Sequence, residues 1–335
     1  MLHQRQQVAA ALRRVACLAA LLPALAAGAL AAPFAWITNQ GSHDVSVIDL
    51  ASQQVVRTVA VGRSPAGVVA ASRAGKVFVS NPDSRDISVI DMREQRVVGT
   101  LAAGDGPVGI DASADGSRVF AADWFANRLL VFDTAGSGPQ QAPLARIEVG
   151  RAPAGVAAHA GNQVVFVAER DDDSVAVVGL RERRVLSRVK VGSHPFALLV
   201  DAPRERLYAL NVQSDDVSVI DVRDPAAPHV IATVKVGKAP YGAALALGGA
   251  LLYVTNQHDD SVSVVDANSL AVLRTLTGFG YPEGVAAHGD QVYVVNWMDD
   301  DVSVLDAASG QPLRRIATGK NSRGFGAFIG APAPP

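Results

Sequence analysis

Residues 36–49 read Trp36-Ile37-Thr38-Asn39-Gln40-Gly41-Ser42-His43-Asp44-Val45-Ser46-Val47-Ile48-Asp49. Two apolar runs flank a polar turn, and the second begins with alternating apolar and polar side chains, the period of a strand with unlike faces. The stretch recurs. Aligned on Asn39, one column holds Asn81, Asp123, Glu169, Asn211, Asn256 and Asn296. Six positions on, the second run starts at Val45, Ile87, Leu129, Val175, Val217, Val262 and Val302. Ten positions on stand Asp49, Asp91, Asp133, Gly179, Asp221, Asp266 and Asp306. The intervals along the Asn column are 42, 42, 46, 42, 45 and 40 residues, and two fixed offsets held through seven copies mark a true internal repeat.

Each copy continues with a β-branched run such as Val55–Val61, then a Gly (Gly62, Gly104, Gly150, Gly192, Gly237, Gly319). In six copies a Pro follows (Pro65, Pro107, Pro153, Pro195, Pro240, Pro282) and opens the next strand, a position where Pro is tolerated. Four short strands repeated seven times, with no sustained helical period, predict an all-β chain folded as a seven-bladed β-propeller of four-stranded antiparallel blades. The first copy lacks its Pro-x-Gly strand. Its counterpart lies at the other end, Ser322-Arg323-Gly324-Phe325-Gly326-Ala327-Phe328-Ile329. This segment is expected to become the innermost strand of the N-terminal blade and to close the ring.

The 335 residues are 49% hydrophobic and 19% charged, which excludes a disordered or collagen-like chain. Aromatics make up only 5%, so Val, Ala, Leu and Ile are expected to fill the core. Residues 1–31 read as an export signal, with Arg5, Arg13 and Arg14 before the apolar run Val15–Leu30 and small residues at Ala29-Leu30-Ala31. Cleavage near Ala31 places residues 32–330 in one propeller domain, 331–335 in a flexible tail, and the protein in the periplasm or outside the cell. Three of the 30 basic residues and none of the 32 acidic ones leave with the signal, so the net charge falls from −2 to −5. Cys17, the one cysteine, also leaves, which removes disulfides and thiolate chemistry. No later segment is apolar enough to span a membrane.

Ile37-Thr38-Asn39 and Tyr253-Val254-Thr255-Asn256, with Val-Ser-Val-Ile-Asp and Val-Gly-x-x-Pro-x-Gly, resemble the YVTN-repeat β-propellers, and the chain layout resembles their exported YncE-like branch. The resemblance covers residues 34–330. It implies the fold but no single activity, because propellers of this kind serve as binding modules, surface proteins, enzyme subunits and hydrolases.

Strand direction brings the loops after each signature Asn and the Gly-x-x-Pro connectors to one face. The recurrent Asn and Asp are expected to cap turns, so departures from the repeat carry the functional signal. Blade three reads Asp123-Trp124-Phe125-Ala126-Asn127-Arg128, with Arg85, Arg151 and Arg170 in neighbouring loops and Trp297 across the ring. Such a patch can stack bases or sugar rings, or pack between blades with its arginines paired to aspartates. Acidic runs at 171–173, 215–216, 259–260 and 299–301 suggest a solvated rim. Near the central channel, His194, Phe196, Tyr241, Tyr281, Glu283 and Arg323 are expected to gather. Glu283 and Arg323 would form an ion pair or orient a substrate, with His194 as acid or base. His43, His258 and Met298 lack metal-ligand spacing, so no metal site is assigned, and His159 and His288 are expected to be structural. No haem, nucleotide or hydrolase motif stands in the chain, and no cofactor is implied.

The reading that follows is a monomeric, non-enzymatic scaffold binding a protein or small-molecule ligand on its loop face. Ligand-contact candidates are Trp124, Phe125, Arg128, Arg85, Arg151, Trp297, His194, Tyr241, Tyr281, Glu283 and Arg323. Three alternatives stay open: a lactonase-like hydrolase or lyase at the channel, an accessory subunit of a periplasmic redox enzyme, and a binder of single-stranded nucleic acid.

Overall fold

The computed structural model describes residues 33–134, 141–159, 161 and 163–332. The expected export signal at 1–31 and the tail residues 333–335 lie outside them. Seven four-stranded antiparallel sheets form, each one repeat of the sequence. Blade 1 spans 34–60, and blades 2 to 7 span 68–102, 107–148, 153–190, 195–235, 240–277 and 282–317. The pairing register is constant: Asn39 faces Asp44 in blade 1, as Asn81 faces Asp86 and Asn296 faces Asp301. Among the described residues the helical elements are three-residue turns such as Ser72–Ala74 and Gln257–Asp259. No helix among them is long and apolar enough to cross a membrane.

A single four-stranded sheet has two faces to bury, and the ring buries them against neighbouring sheets. The aromatic share of that core was underestimated from composition. Trp36, Phe78, Phe120, Phe166, Tyr208, Tyr253 and Tyr293 stand three residues before each signature column, and all are buried. Each places one large ring between sheets otherwise packed by Val, Ala, Leu and Ile.

The Pro-x-Gly motif has a steric cause. A Cβ on Gly109 would stand 2.0 Å from the Ala154 carbonyl oxygen of the next inner strand, and one on Gly155 would stand 2.3 Å from that of Phe196. Inner strands converge so closely at the hub that only hydrogen fits at these positions. The residue before the signature Asn ties the same strands together. Ser80 and Thr255 donate hydroxyl hydrogen bonds to the carbonyls of Val108 and Glu283 in the following blades, both at 2.7 Å.

Ring closure occurs as the sequence predicts, with Ile329–Gly330 pairing against Phe34 and Ala35 as the inner strand of blade 1. Upstream, Arg323 N–H donates to the Thr38 carbonyl at 2.8 Å, and Trp36 N–H donates to the Phe328 carbonyl at 2.9 Å. The other edge of this segment accepts from blade 2, where the N–H groups of Val68 and Ala70 donate to Phe325 and Ala327 at 2.8 Å. The last segment therefore stitches both sides of the seam. Ala331 N–H then donates to Ser72 Oγ at 3.2 Å.

Candidate functional site

The loop face is organised by the signature residues. Asn256 is buried, and its amide nitrogen donates to Ser261 Oγ and Ser263 Oγ, both at 3.0 Å. Asn81, Asn211 and Asn296 make equivalent bonds to an Asp and a Ser. Four residues later the backbone is left-handed, with φ between 47° and 60° at His43, Arg85, Asn127, Asp173, Asp215, Asp260 and Asp300. Asn and Asp tolerate that conformation best. Their side chains accept the N–H that precedes the next inner strand: Asn127 from Ala152 at 3.0 Å, Asp173 from His194 at 2.8 Å, Asp215 from Ala239 at 2.9 Å and Asp260 from Tyr281 at 2.9 Å. One residue earlier, Asp172 and Asp259 grip the same connectors from the other side, accepting from Arg151 N and Lys238 N. The acidic runs are therefore clamps between blades.

Blade 4 keeps this shape with a different residue. Glu169 Oε1 accepts the Gly150 N–H at 2.6 Å, Oε2 accepts from Ser174 Oγ at 2.8 Å, and Arg188 supplies the counter-charge at 2.9 Å.

Over the channel mouth the aromatic residues form a connected layer. Phe196 stacks on Tyr241 with centroids 4.6 Å apart, Phe325 lies 5.1 Å from Phe196, and Trp124 lies 6.2 Å from Phe196. The Arg170 guanidinium sits 5.6 Å from the Trp124 ring centre. Tyr281 joins Trp297 at 5.6 Å and His258 at 5.7 Å. Beneath, Arg323 Nε donates to Glu283 Oε2 at 2.7 Å, its Nη2 donates to the Tyr241 hydroxyl, and Gln257 donates to Glu283 Oε1 at 2.9 Å. Burial raises the Glu283 carboxyl, against the pull of Arg323 and Gln257. Desolvation pulls Arg323 down, and the Glu283 carboxylate, with the hydrogen bonds to Glu283 and Tyr241, overcomes it, leaving the guanidinium firmly protonated. The arrangement holds the C-terminal segment to blade 7.

A family model described as YNCE-like beta-propeller matches residues 70–162 and 144–333, most of the chain. The chain belongs to the YncE-like β-propellers. No curated protein matches it in sequence. Among solved structures, this YncE-like propeller is similar to Kuenenia stuttgartiensis hydrazine synthase, with a TM-score of 0.73 and 18% identity over 86% of this chain and 99% of that one. A functionally unknown protein from Desulfotomaculum acetoxidans gives 0.76 and 13%, covering 90% and 99%. The dihydro-heme d1 dehydrogenase NirN in complex with DHE gives 0.65 and 13%, covering 88% and 74%. At these identities the likeness is one of fold.

Within the YncE-like frame, the candidate residues separate. Trp124, Tyr241, Tyr281, Trp297, Glu283 and Arg323 come to the channel mouth in two adjoining clusters. His194 lies at its edge, with Nε2 3.8 Å from Asp171, and no hydrogen bond joins it to Glu283 or Arg323. Phe125 projects from the rim, 73% exposed. The arginines do not form a free basic patch: Arg85 faces Asp105 at 3.7 Å, Arg128 bonds Glu148 at 2.9 Å on the outer strand, and Arg151 bonds Asp172 at 2.7 Å. His43 Nδ1 accepts the Ser64 N–H, and His258 faces the Tyr281 hydroxyl. Among the described residues no three His, Cys, Asp or Glu side chains cluster as a metal set.

The sequence reading missed one residue altogether. Asp111 lines the channel cavity, about 480 Å³, which is walled otherwise by small and aliphatic side chains of the inner strands and by Phe325. Its carboxylate accepts from Ala158 N and Ala112 N at 2.8 Å, and burial pushes its pKa up to about 6. The signal was present, since Asp111 stands in a column that holds Val69, Ala157, Leu199, Ala244 and Ala286 elsewhere.

Proposed function

We propose that this YncE-like propeller is a non-catalytic scaffold that binds a partner across its aromatic loop face. The carrying observation is the layer of Trp124, Phe196, Tyr281 and Trp297, all part-exposed, bordered by Phe125 and by Met298, which is 62% exposed. Partly exposed aromatics with saturated charges around them are the composition of a recognition surface. Glu283, the best acid–base candidate, is committed to Arg323 and Gln257, which supports the scaffold reading over a hydrolase. The fold shared with chains of hydrazine synthase and of a dihydro-heme d1 dehydrogenase supports an accessory place beside an exported redox enzyme.

The test is affinity purification from the native host with site-specific photo-crosslinking at position 126, beside Phe125 in the same loop. A single protein captured in stoichiometric amount, and lost on Phe125→Asp/Met298→Asp, is the expected result. Turnover of a lactone at an ordinary enzymatic rate, abolished by Glu283→Gln, would overturn it. Export belongs to the same proposal, and the mass of the mature chain should begin at residue 32.

Single-stranded nucleic acid is the second reading, favoured by Arg170 lying on the face of Trp124. Binding that weakens steeply with salt and disappears on Trp124→Ala would establish it.

A further inference from the structure

On the face opposite the loops, a cavity of about 700 Å³ opens between blades 3 and 4, with Arg73 contributed by blade 2. Its charged lining is Arg73, Arg118, Arg181 and Arg183 against one carboxylate, Asp115, and His159 completes it. Asp115 is already occupied, accepting from Ser113 Oγ at 2.5 Å and Ser117 N at 3.0 Å. Among the described residues, no hydrogen bond or ion pair is made by the four guanidinium groups. Both ring nitrogens of His159 are buried without a hydrogen-bond partner, the ring standing edge-on to Phe166 at 6.0 Å.

This concentration of unpaired cations departs from the rest of the molecule. On the same face Arg204 bonds Asp201 at 2.9 Å and Arg223 is paired with Asp221. The repeat gives the reason. The turn-capping Asp of every other blade is replaced by Gly179 in blade 4, so Arg181, two residues on, lacks the carboxylate that holds Arg223 two residues after Asp221. The turn Asp is absent where four arginines line one cavity, and the atom nearest the missing side chain is Glu182 Oε2. Guanidinium groups match phosphate oxygens two at a time.

We propose that this cavity binds a small molecule carrying two or more phosphate charges. The site is separate from the loop face and stands or falls independently of the function proposed there. A bound phosphate group satisfies the arginines, while Asp115, locked to its serines, does not compete.

Calorimetric titration of the full chain with sodium pyrophosphate, at ionic strength fixed with KCl, tests the site. Saturable one-to-one binding is expected. Arg118→Gln/Arg183→Gln should weaken it at least tenfold, whereas the charge-matched Arg57→Gln/Arg314→Gln, on the outer strands of blades 1 and 7, should change it less than twofold. Gly179→Asp restores the missing carboxylate beside Arg181 and should also weaken binding. It provides the test should the arginine variants fail to fold, because the new side chain meets only the ends of Glu182 and Leu186. In the wild type, pyrophosphate should move the imidazole NMR signals of His159 and leave those of His43 and His258 in place. Absence of saturable binding, or equal weakening by the outer-strand control, would overturn the assignment.

Discussion

Asp215 shows what a single residue does on the loop face. It holds a left-handed backbone at φ 55° and accepts the N–H of Ala239, 24 residues away, across a blade boundary. Asp215→Ala removes the acceptor and places Ala in a conformation it disfavours, so a loss of about 1–2 kcal/mol is expected in urea denaturation. Asp215→Asn keeps both properties and should stay within about 0.5 kcal/mol, since Asn127 already does this task in blade 3. Glu283→Gln belongs at the same scale. It leaves the buried Arg323 charge without its carboxylate but also removes the burial cost of that carboxylate, so the net change should stay within about 2 kcal/mol, read by the same denaturation, with no loss of any loop-face binding. The Asn and Asp columns were legible from spacing alone, and so was their structural purpose. Their partners were not, because a one-dimensional repeat suggests a local turn whereas the accepted N–H belongs to the next connector. Asp111 escaped for a related reason: one carboxylate in an apolar strand column is conspicuous only when the inner strands are compared with one another.

At the scale of elements, the inner strand carries the tightest constraint. Gly67, Gly109, Gly155, Gly242 and Gly284 each present a hydrogen to the backbone of the next blade, while the corresponding position in blade 5 is Ala197. Gly109→Ala should therefore force the strands apart and cost at least about 2 kcal/mol in chemical denaturation, with an unchanged spectrum of β-structure. Gly289→Ala, at a hairpin with open space around it but φ of 59°, should cost less, about 1 kcal/mol. If both cost the same, crowding at the hub is not the reason for the Pro-x-Gly motif. The four-strand grammar and the closing segment were readable because Gly, Pro and β-branched runs report backbone geometry directly. The aromatic column was equally regular, at three residues before each signature position, yet a low aromatic percentage concealed it. Composition averages over the chain, and this column concentrates seven rings where the sheets pack.

The whole ring responds to pH through the few carboxyls that differ from their unfolded values. Asp111 is raised by burial from 3.8 to about 6, so folding favours its protonated form. Its contribution is complete below about pH 4 and is lost as pH rises through 6, at most about 3 kcal/mol for a shift of this size. Glu283, raised by burial against Arg323, acts with the same sign. Asp221, drawn down to about 2 by hydrogen bonds from the Arg223 side chain and backbone, acts with the opposite sign and withdraws its support only as pH falls toward 2. Asp300 is likewise lowered, where the Lys320 and Asn321 bonds outweigh the burial that opposes them. The two sets leave a stability maximum near pH 4–5 in place of the neutral plateau expected when lowered carboxyls alone are present. Thermal melts should thus show the wild type losing stability from pH 4.5 to 6.5. Asp111→Asn, whose amide oxygen still accepts the Ala158 N–H, should flatten that slope while leaving the acid limb intact. A wild-type melting temperature that climbs across this interval, or an Asp111→Asn profile parallel to it, would show that the carboxylate in the channel wall does not carry the effect.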